Sequence, residues 1–178
     1  KSTSLGLVAG VIKPSSGSVI THGRIASMLE LGGGFHPELT GRENIILNAT
    51  LLGLRKKQVM KKLDGIIAFS ELGDFIDEPI RVYSSGMLAK QGFSVISQTD
   101  PEILIIDEVM AVGDIAFQKK CLETIREFKQ RGVTILFVSH NMMDVGKICD
   151  KVIWIENHRL QAVGKADDII PQYIKMMS

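Results

Sequence analysis

At 178 residues, 45% apolar and 6% aromatic, the chain is long enough for one substantial core and too apolar to be disordered. Its 21 Lys and Arg against 20 Asp and Glu leave a net charge of +1, which singles out neither nucleic acid nor an anionic surface, and no apolar run reaches the roughly 18 residues that span a bilayer. The two cysteines, Cys121 and Cys149, stand far apart without metal-ligand spacing, so neither a disulfide framework nor a zinc site is expected and a reducing cytosol is the simplest setting.

The chain opens at Lys1 and not at a methionine, inside what reads as a motif, and is taken as a fragment. Lys1-Ser2-Thr3 starts a helix over Ser2–Ala9 that stops at Gly10, with Lys13-Pro14 as a breaker. Turns at Ser15 to Gly17 and at Gly23 punctuate two short strands, 18–21 and 24–29, expected to form a small antiparallel flap. Gly32-Gly33-Gly34-Phe35-His36-Pro37 is a loop. Thr40-Gly41-Arg42-Glu43 has the form of a capping box opening a helix to about Leu52. A second helix covers about 56–69 and carries Lys56, Lys57, Lys61 and Lys62. That basic face reads most simply as solvated surface; the sharper alternative is contact with a membrane partner or anionic headgroups. A further helical turn at 71–75 and an extended link over 77–83 complete an all-helical insertion at 40–77 between α/β portions.

Tyr83-Ser84-Ser85-Gly86-Met87 leads into a helix to about Ser97. Pro101 precedes Ile103–Ile106, an unbroken apolar run that reads as a strand buried on both faces. Asp114 is placed as the N-cap of a long amphipathic helix to Arg131, with Phe117, Cys121, Ile125 and Phe128 on its apolar stripe. Residues 133–138 read as a second buried strand ending in Ser139-His140-Asn141. A short helix to Ile148, a hairpin of 152–156 and 159–163 around Asn157-His158, and a last helix from about Ala166 follow.

Four separated features carry chemistry. Lys1-Ser2-Thr3 at a helix start is the tail of a phosphate loop if the lysine reaches β/γ-phosphates, Ser2 ligates Mg²⁺ and the helix N-terminus supplies N–H groups; alone it is an ordinary cap. Ser84, Ser85 and Gly86 at a second helix start are either ordinary N-capping or an anion-binding nest. Asp107 and Glu108 end the central strand at the edge where open parallel sheets bind ligands. Asp107 suits a metal or a metal-bound water, and Glu108 suits orienting or deprotonating a water. His140, at the tip of the second strand, can hydrogen-bond a γ-phosphate and an attacking water, or can be a structural histidine.

In this order and spacing the four pieces resemble the nucleotide-binding subunit of ABC transporters. Lys1-Ser2-Thr3 matches the end of Walker A, Tyr83 to Met87 the ABC signature, and Ile103 to Glu108 the Walker B strand with its catalytic glutamate. Ala111 to Asp114 matches the D-loop, and His140 the switch histidine. LELGGGFHPELTGRENI, YSSGM, DEVMAVGD and FQKKCLETIREFK further resemble ATPases of the polysaccharide, O-antigen and teichoic-acid exporters. The resemblance implies an α/β P-loop NTPase core over 1–178 with a mostly parallel sheet, the helical insertion at 40–77 leading into the signature helix at 84–97, and the first strands and most of Walker A missing.

It also implies ATP and Mg²⁺ as cofactors. Lys1, Ser2 and Thr3 would bind phosphates, and Ser2 and Asp107 would hold the metal. Glu108 and His140 would act on the attacking water, with Ser84, Ser85 and Gly86 supplied by a second subunit in a head-to-tail homodimer. Asp114 would couple the two sites. The implied partner is a polytopic membrane permease at the cytoplasmic face of the inner membrane, with glycan handled mainly by partners and no nucleic acid involved. Three departures stand out: the incomplete Walker A, a Q-loop position falling at Glu30 or Leu31 without a glutamine, and Met87 in place of the signature glutamine. A soluble ABC ATPase and an inactive fragment are the alternatives.

Overall fold

The computed structural model describes residues 2–31, 34–107 and 114–177, with side chains omitted at Glu30, Leu31 and Met177. Lys1, Glu108 and the D-loop positions before Asp114 therefore lie outside the described residues, as do the side chains of both Q-loop candidates.

Three short strands form a parallel sheet in the order β1 (Ile25–Ser27), β2 (Ile103–Ile106), β3 (Thr134–Phe137). Ile103 pairs with Ile25 on one side and with Thr134 on the other, so β2 is the central strand. Its Leu104, Ile105 and Ile106 are fully buried, as a continuous apolar run between two neighbours demands. The β2–β3 connection is α6 (Ile115–Gln130), whose Phe117, Cys121, Ile125 and Phe128 lie along one stripe and are all buried. These pack with Phe93, Ile96, Leu104 and Ile106 into the first of two apolar clusters. Each such side chain contributes about 1.5–3 kcal/mol by leaving water.

The second cluster is helical. α3 (Gly41–Leu51) begins at a complete capping box: the Thr40 hydroxyl accepts from the Glu43 N–H, and the Glu43 carboxylate accepts from the Thr40 N–H. α4 (Lys56–Ser70) follows, and its chain turns at Glu71 in a left-handed conformation, φ 56°. Ile45, Ala49, Val59, Leu63, Ile66, Ile76, Ile80 and Tyr83 close around Val95 of α5 (Ser85–Ser97). Because Phe93 and Ile96 of α5 face the sheet cluster while Val95 faces the helical one, α5 is the shared wall between them. α1 (Ser2–Ala9), α2 (Met28–Leu31) and α7 (Met142–Ile148) complete that part of the chain. A hairpin of β4 (Lys151–Glu156) and β5 (Arg159–Lys165) is backed by α8 (Ala166–Met177). Asn157 and His158 turn it with positive φ of 47° and 60°, the conformation that two-residue hairpin loops require.

Several expectations need correction. Residues 18–21 form no strand, and 24–29 divides into β1, which pairs in parallel with β2, and the start of α2. The antiparallel pair of this fold is β4–β5. Val19 and Ile20 remain 43% and 75% exposed, so a strand there would have neither a buried face nor a neighbouring edge to pair with. Residues 77–83 are not simply extended, since 3-10 turns cover Gly73–Asp77 and Ile80–Val82. The strand expected to be buried at 133–138 is only half-buried. Its outer edge opens on an apolar cavity of about 680 Å³, shared with β4, α1, α7 and α8.

Candidate functional site

The C-terminal edge of the sheet holds Asp107 and His140, from two of the four features. The last bond of the β2–β3 ladder runs from Val138 N–H to Ile106 carbonyl, 2.9 Å. Asp107 is therefore the first residue beyond the ladder on one strand, and Ser139-His140 follow it on the next. Asp107 is buried, 8% exposed, whereas His140 is exposed. The chain then caps α7 locally: Asn141 N–H donates to Ser139 Oγ at 3.0 Å, and Asn141 Oδ1 accepts from Met143 N–H at 3.0 Å. Ser4, Leu5 and Val8 of α1 line the same cavity as Val138 and Ser139. Ser2 and Thr3, in the first turn of α1, are exposed.

The Ser84-Ser85-Gly86 feature lies elsewhere, on the helical side. Ser84 is the N-cap of α5 and accepts from Met87 N–H at 3.2 Å. Ser84 and Ser85 are exposed, and Ser84 and Gly86 border a crevice lined also by Glu71, Leu72, Phe75, Met87 and Lys90. The same short bond satisfies ordinary capping and leaves the other first-turn N–H groups of α5 without intrahelical partners, as at any helix start.

Asp114 caps α6 as the sequence indicated, accepting from Phe117 N–H at 2.9 Å. Its second oxygen accepts from Lys90 Nζ at 2.6 Å, a contact the sequence reading missed. The Lys90 ammonium, more than the Phe117 N–H, holds the Asp114 carboxyl down at about 2. Lys90 also lies 3.9 Å from Glu71, which pairs with Lys120 at 2.7 Å. The only signal in the sequence was an amphipathic helix with a basic residue on its second turn, which names no partner. Lys62, counted at first with the basic face of α4, instead donates to Gln98 carbonyl at 2.6 Å and pins α4 to the turn before β2.

Burial pushes the Cys121 thiol up to about 12 and raises that of Cys149. Both cysteines are free, Cys121 buried and Cys149 half-buried, and a buried thiol such as that of Cys121 is inert. Among the described residues no group of three or more His, Cys, Asp or Glu could by itself hold a metal. Magnesium sites do not require one: the ion keeps several waters and takes one or two protein oxygens plus phosphates. The hydroxyl of Ser2 at a helix start and the buried Asp107 carboxylate at a strand end are hard oxygen donors of that type, so the residues present fit an Mg²⁺–nucleotide.

No protein-family model matches the chain. It is 76% identical over 178 residues to the O-antigen export system ATP-binding protein RfbB of Klebsiella pneumoniae, a match covering 100% of this chain and 72% of that one. It is 44% identical over 178 residues to the teichoic acids export ATP-binding protein TagH of Staphylococcus saprophyticus, covering 100% of this chain and 67% of that one. Among solved structures, the ATP-binding subunit of an ABC transporter superposes with a TM-score of 0.83 at 25% identity, over 97% of this chain and 77% of that one. By sequence and by fold, the chain belongs to the ATP-binding subunits of ABC transporters, in the branch whose relatives serve O-antigen and teichoic-acid export.

Proposed function

We propose that this chain hydrolyses ATP as the motor subunit of an exporter of a cell-surface polysaccharide. The observation that supports the reading is the position of Asp107 and Ser139-His140 just beyond one end of the parallel β2–β3 ladder. Such an edge is where α/β folds hold phosphorylated ligands. Lys1, Ser2 and Thr3 bind the phosphates there, with the N–H groups of the α1 N-terminus. Ser2 and Asp107 hold Mg²⁺, which when bound neutralises charge on the phosphate oxygens. Glu108 polarises the attacking water and His140 positions it.

The active assembly is a head-to-tail dimer in which Ser84, Ser85 and Gly86 of one copy approach the phosphates held by the other. Asp114 links the two sites. The helices of 40–77 form the insertion that leads into the signature helix at 84–97 and meets the membrane permease. The exposure of Leu51 and Met60, at 66% and 50%, supports a docking role for the insertion. None of the described helices is long and apolar enough to cross a membrane, which fits a peripheral subunit held at the cytoplasmic face by its partner.

Affinity purification of the full-length protein from its native membranes tests this reading. The expected result is co-purification of a polytopic membrane protein in a complex that turns over ATP. A protein recovered from membranes with no such partner and no turnover would overturn it.

A further inference from the structure

The start of α4 carries charge that the fold does not use. Residues 51–63 hold Arg55, Lys56, Lys57, Lys61 and Lys62 and no carboxylate. Lys62 is turned inward, to Gln98 carbonyl and, at 3.4 Å, to Asp100. The other four are exposed, and none of them enters an ion pair among the described residues. The first acid beyond them, Asp64, acts on the Arg42 guanidinium. Since the whole chain carries a net charge of only +1, these four cations are a local concentration and not a general basic bias.

Their place is also locally unfavourable. The first turn of a helix is its positive end, where acids are favoured and cations are not. α4 has no acid in its first turn, and Arg55, in the N-cap position, makes no side-chain cap. The Arg55 N–H is met by the neutral Gln58 Oε1 at 2.9 Å, where a glutamate would make the same bond with the better charge. Residues that break a local rule with no gain to the fold mark a surface kept for function.

The same face has an apolar component. Val59, Leu63 and Ile66 form the buried stripe of α4. Lys57 and Lys61, one turn apart, lie on the opposite side. Met60, between them in sequence, is 50% exposed, and Leu51, which ends α3 just before this stretch, is 66% exposed. A nucleic acid or an acidic peptide would match the charge and leave these aliphatic side chains without a use. An anionic bilayer surface matches both, with headgroup charge above an apolar layer that Met60 and Leu51 can enter. Three of the four cations are lysines, compact charges suited to a diffuse array of headgroups and not to the bidentate recognition that arginine gives. We propose that Arg55, Lys56, Lys57 and Lys61, with Leu51 and Met60, form a docking face for anionic lipid headgroups, by which this subunit holds directly to the bilayer beside its permease. The inference rests on the peripheral-subunit reading above and adds to it a lipid contact of the chain's own.

The test is flotation of the full-length protein with vesicles of phosphatidylcholine alone and of phosphatidylcholine and phosphatidylglycerol in equal parts. Wild type should partition at least about 100-fold more strongly to the anionic vesicles, and the preference should fade as added salt screens the surface. Each cation near an anionic surface contributes about fivefold, so Lys56→Gln/Lys57→Gln/Lys61→Gln should lose about 100-fold. Lys119→Gln/Lys165→Gln/Lys175→Gln removes the same charge from exposed positions elsewhere and should stay within about threefold of wild type. Because the α4 cations oppose the helix dipole, the first triple variant should melt at or above the wild-type temperature, which separates lost binding from lost folding. A wild type with no preference for anionic vesicles, or an equal loss in the two triple variants, would overturn the proposal. So would a first triple variant that binds vesicles like wild type but no longer co-purifies with the permease, an outcome that gives the face to the protein partner. Vesicle binding is read without the permease, so failure to recover a permease from native membranes would remove the reading on which the proposal rests and leave this measurement standing.

Discussion

Gly41→Ala tests how tightly the helical insertion is fitted to the signature helix. Gly41 is the first residue of α3, and both of its backbone groups are engaged. Its N–H donates to Glu78 carbonyl at 3.1 Å, and its carbonyl accepts from Gln91 Nε2 on α5 at 2.6 Å. A Cβ at this position would be driven into the Tyr83 hydroxyl and would stand 3.0 Å from Ile76 carbonyl oxygen and 3.2 Å from Ile76 Cδ1. Tyr83 has no free route away, because it is buried and its hydroxyl donates to Phe75 carbonyl.

Overpacking of this kind costs about 1–3 kcal/mol. Breaking the Tyr83–Phe75 bond and stranding buried polar groups adds about 1–3 kcal/mol. The better helix propensity of alanine returns at most about 1 kcal/mol. The net loss is about 1–5 kcal/mol, and at roughly 2–4 °C per kcal/mol for this size the middle of that range lowers Tm by about 6–12 °C. Calorimetry of the full-length protein reads it directly. Adding Tyr83→Phe should recover much of the loss by removing the obstructing oxygen. The packing argument is wrong if Gly41→Ala melts at or above the wild-type temperature, or if the two substitutions simply add. Since Tyr83 immediately precedes Ser84, the same variant should also lower ATP turnover.

Two further predictions concern local devices. Burial above all, with help from Asp77 and Glu78, raises the Tyr83 phenol from 10.0 to about 12. A group whose folded pKa is raised contributes stability that is full below the unfolded value and lost as pH climbs through the folded one. Wild-type Tm should therefore fall more steeply between about pH 10 and 12 than that of Tyr83→Phe, and parallel curves would contradict the assignment. Thr40→Ala removes the N-cap of α3 and should cost about 0.5–2 kcal/mol in denaturant unfolding, while Thr40→Ser should be nearly neutral.

What the sequence revealed, and what it did not, follows from the range of the interactions involved. The caps at Thr40, Ser84 and Asp114 and the stripe Phe117, Cys121, Ile125, Phe128 were legible because each is set within one or two helical turns. The same holds for the buried run of β2, whose composition alone demands two neighbours. The flap expected at 18–29 failed because alternation cannot say which edge a strand will join: 24–29 supplies a parallel neighbour to β2 instead. Residues 133–138 look fully buried by composition, but burial depends on a neighbour at the outer edge, and among the described residues that edge faces the cavity shared with β4. Of the site, Asp107 and His140 stood out as polar residues ending apolar strands. Lys90 did not, because an ion pair bridging 24 positions leaves no mark in local periodicity. The roles of Lys1 and Glu108 were suggested by their places at a helix start and a strand end, and made specific by the resemblance of their motifs.

Glu108, two residues past β2 in the sequence, is proposed to drive ATP hydrolysis in this subunit. ATP binding and turnover by full-length Glu108→Gln in its permease complex test it most directly. ATP should still bind and accumulate in a stable dimer, while turnover falls by at least about 100-fold, the usual scale for losing a general base. Turnover by Glu108→Gln at the wild-type rate would contradict it.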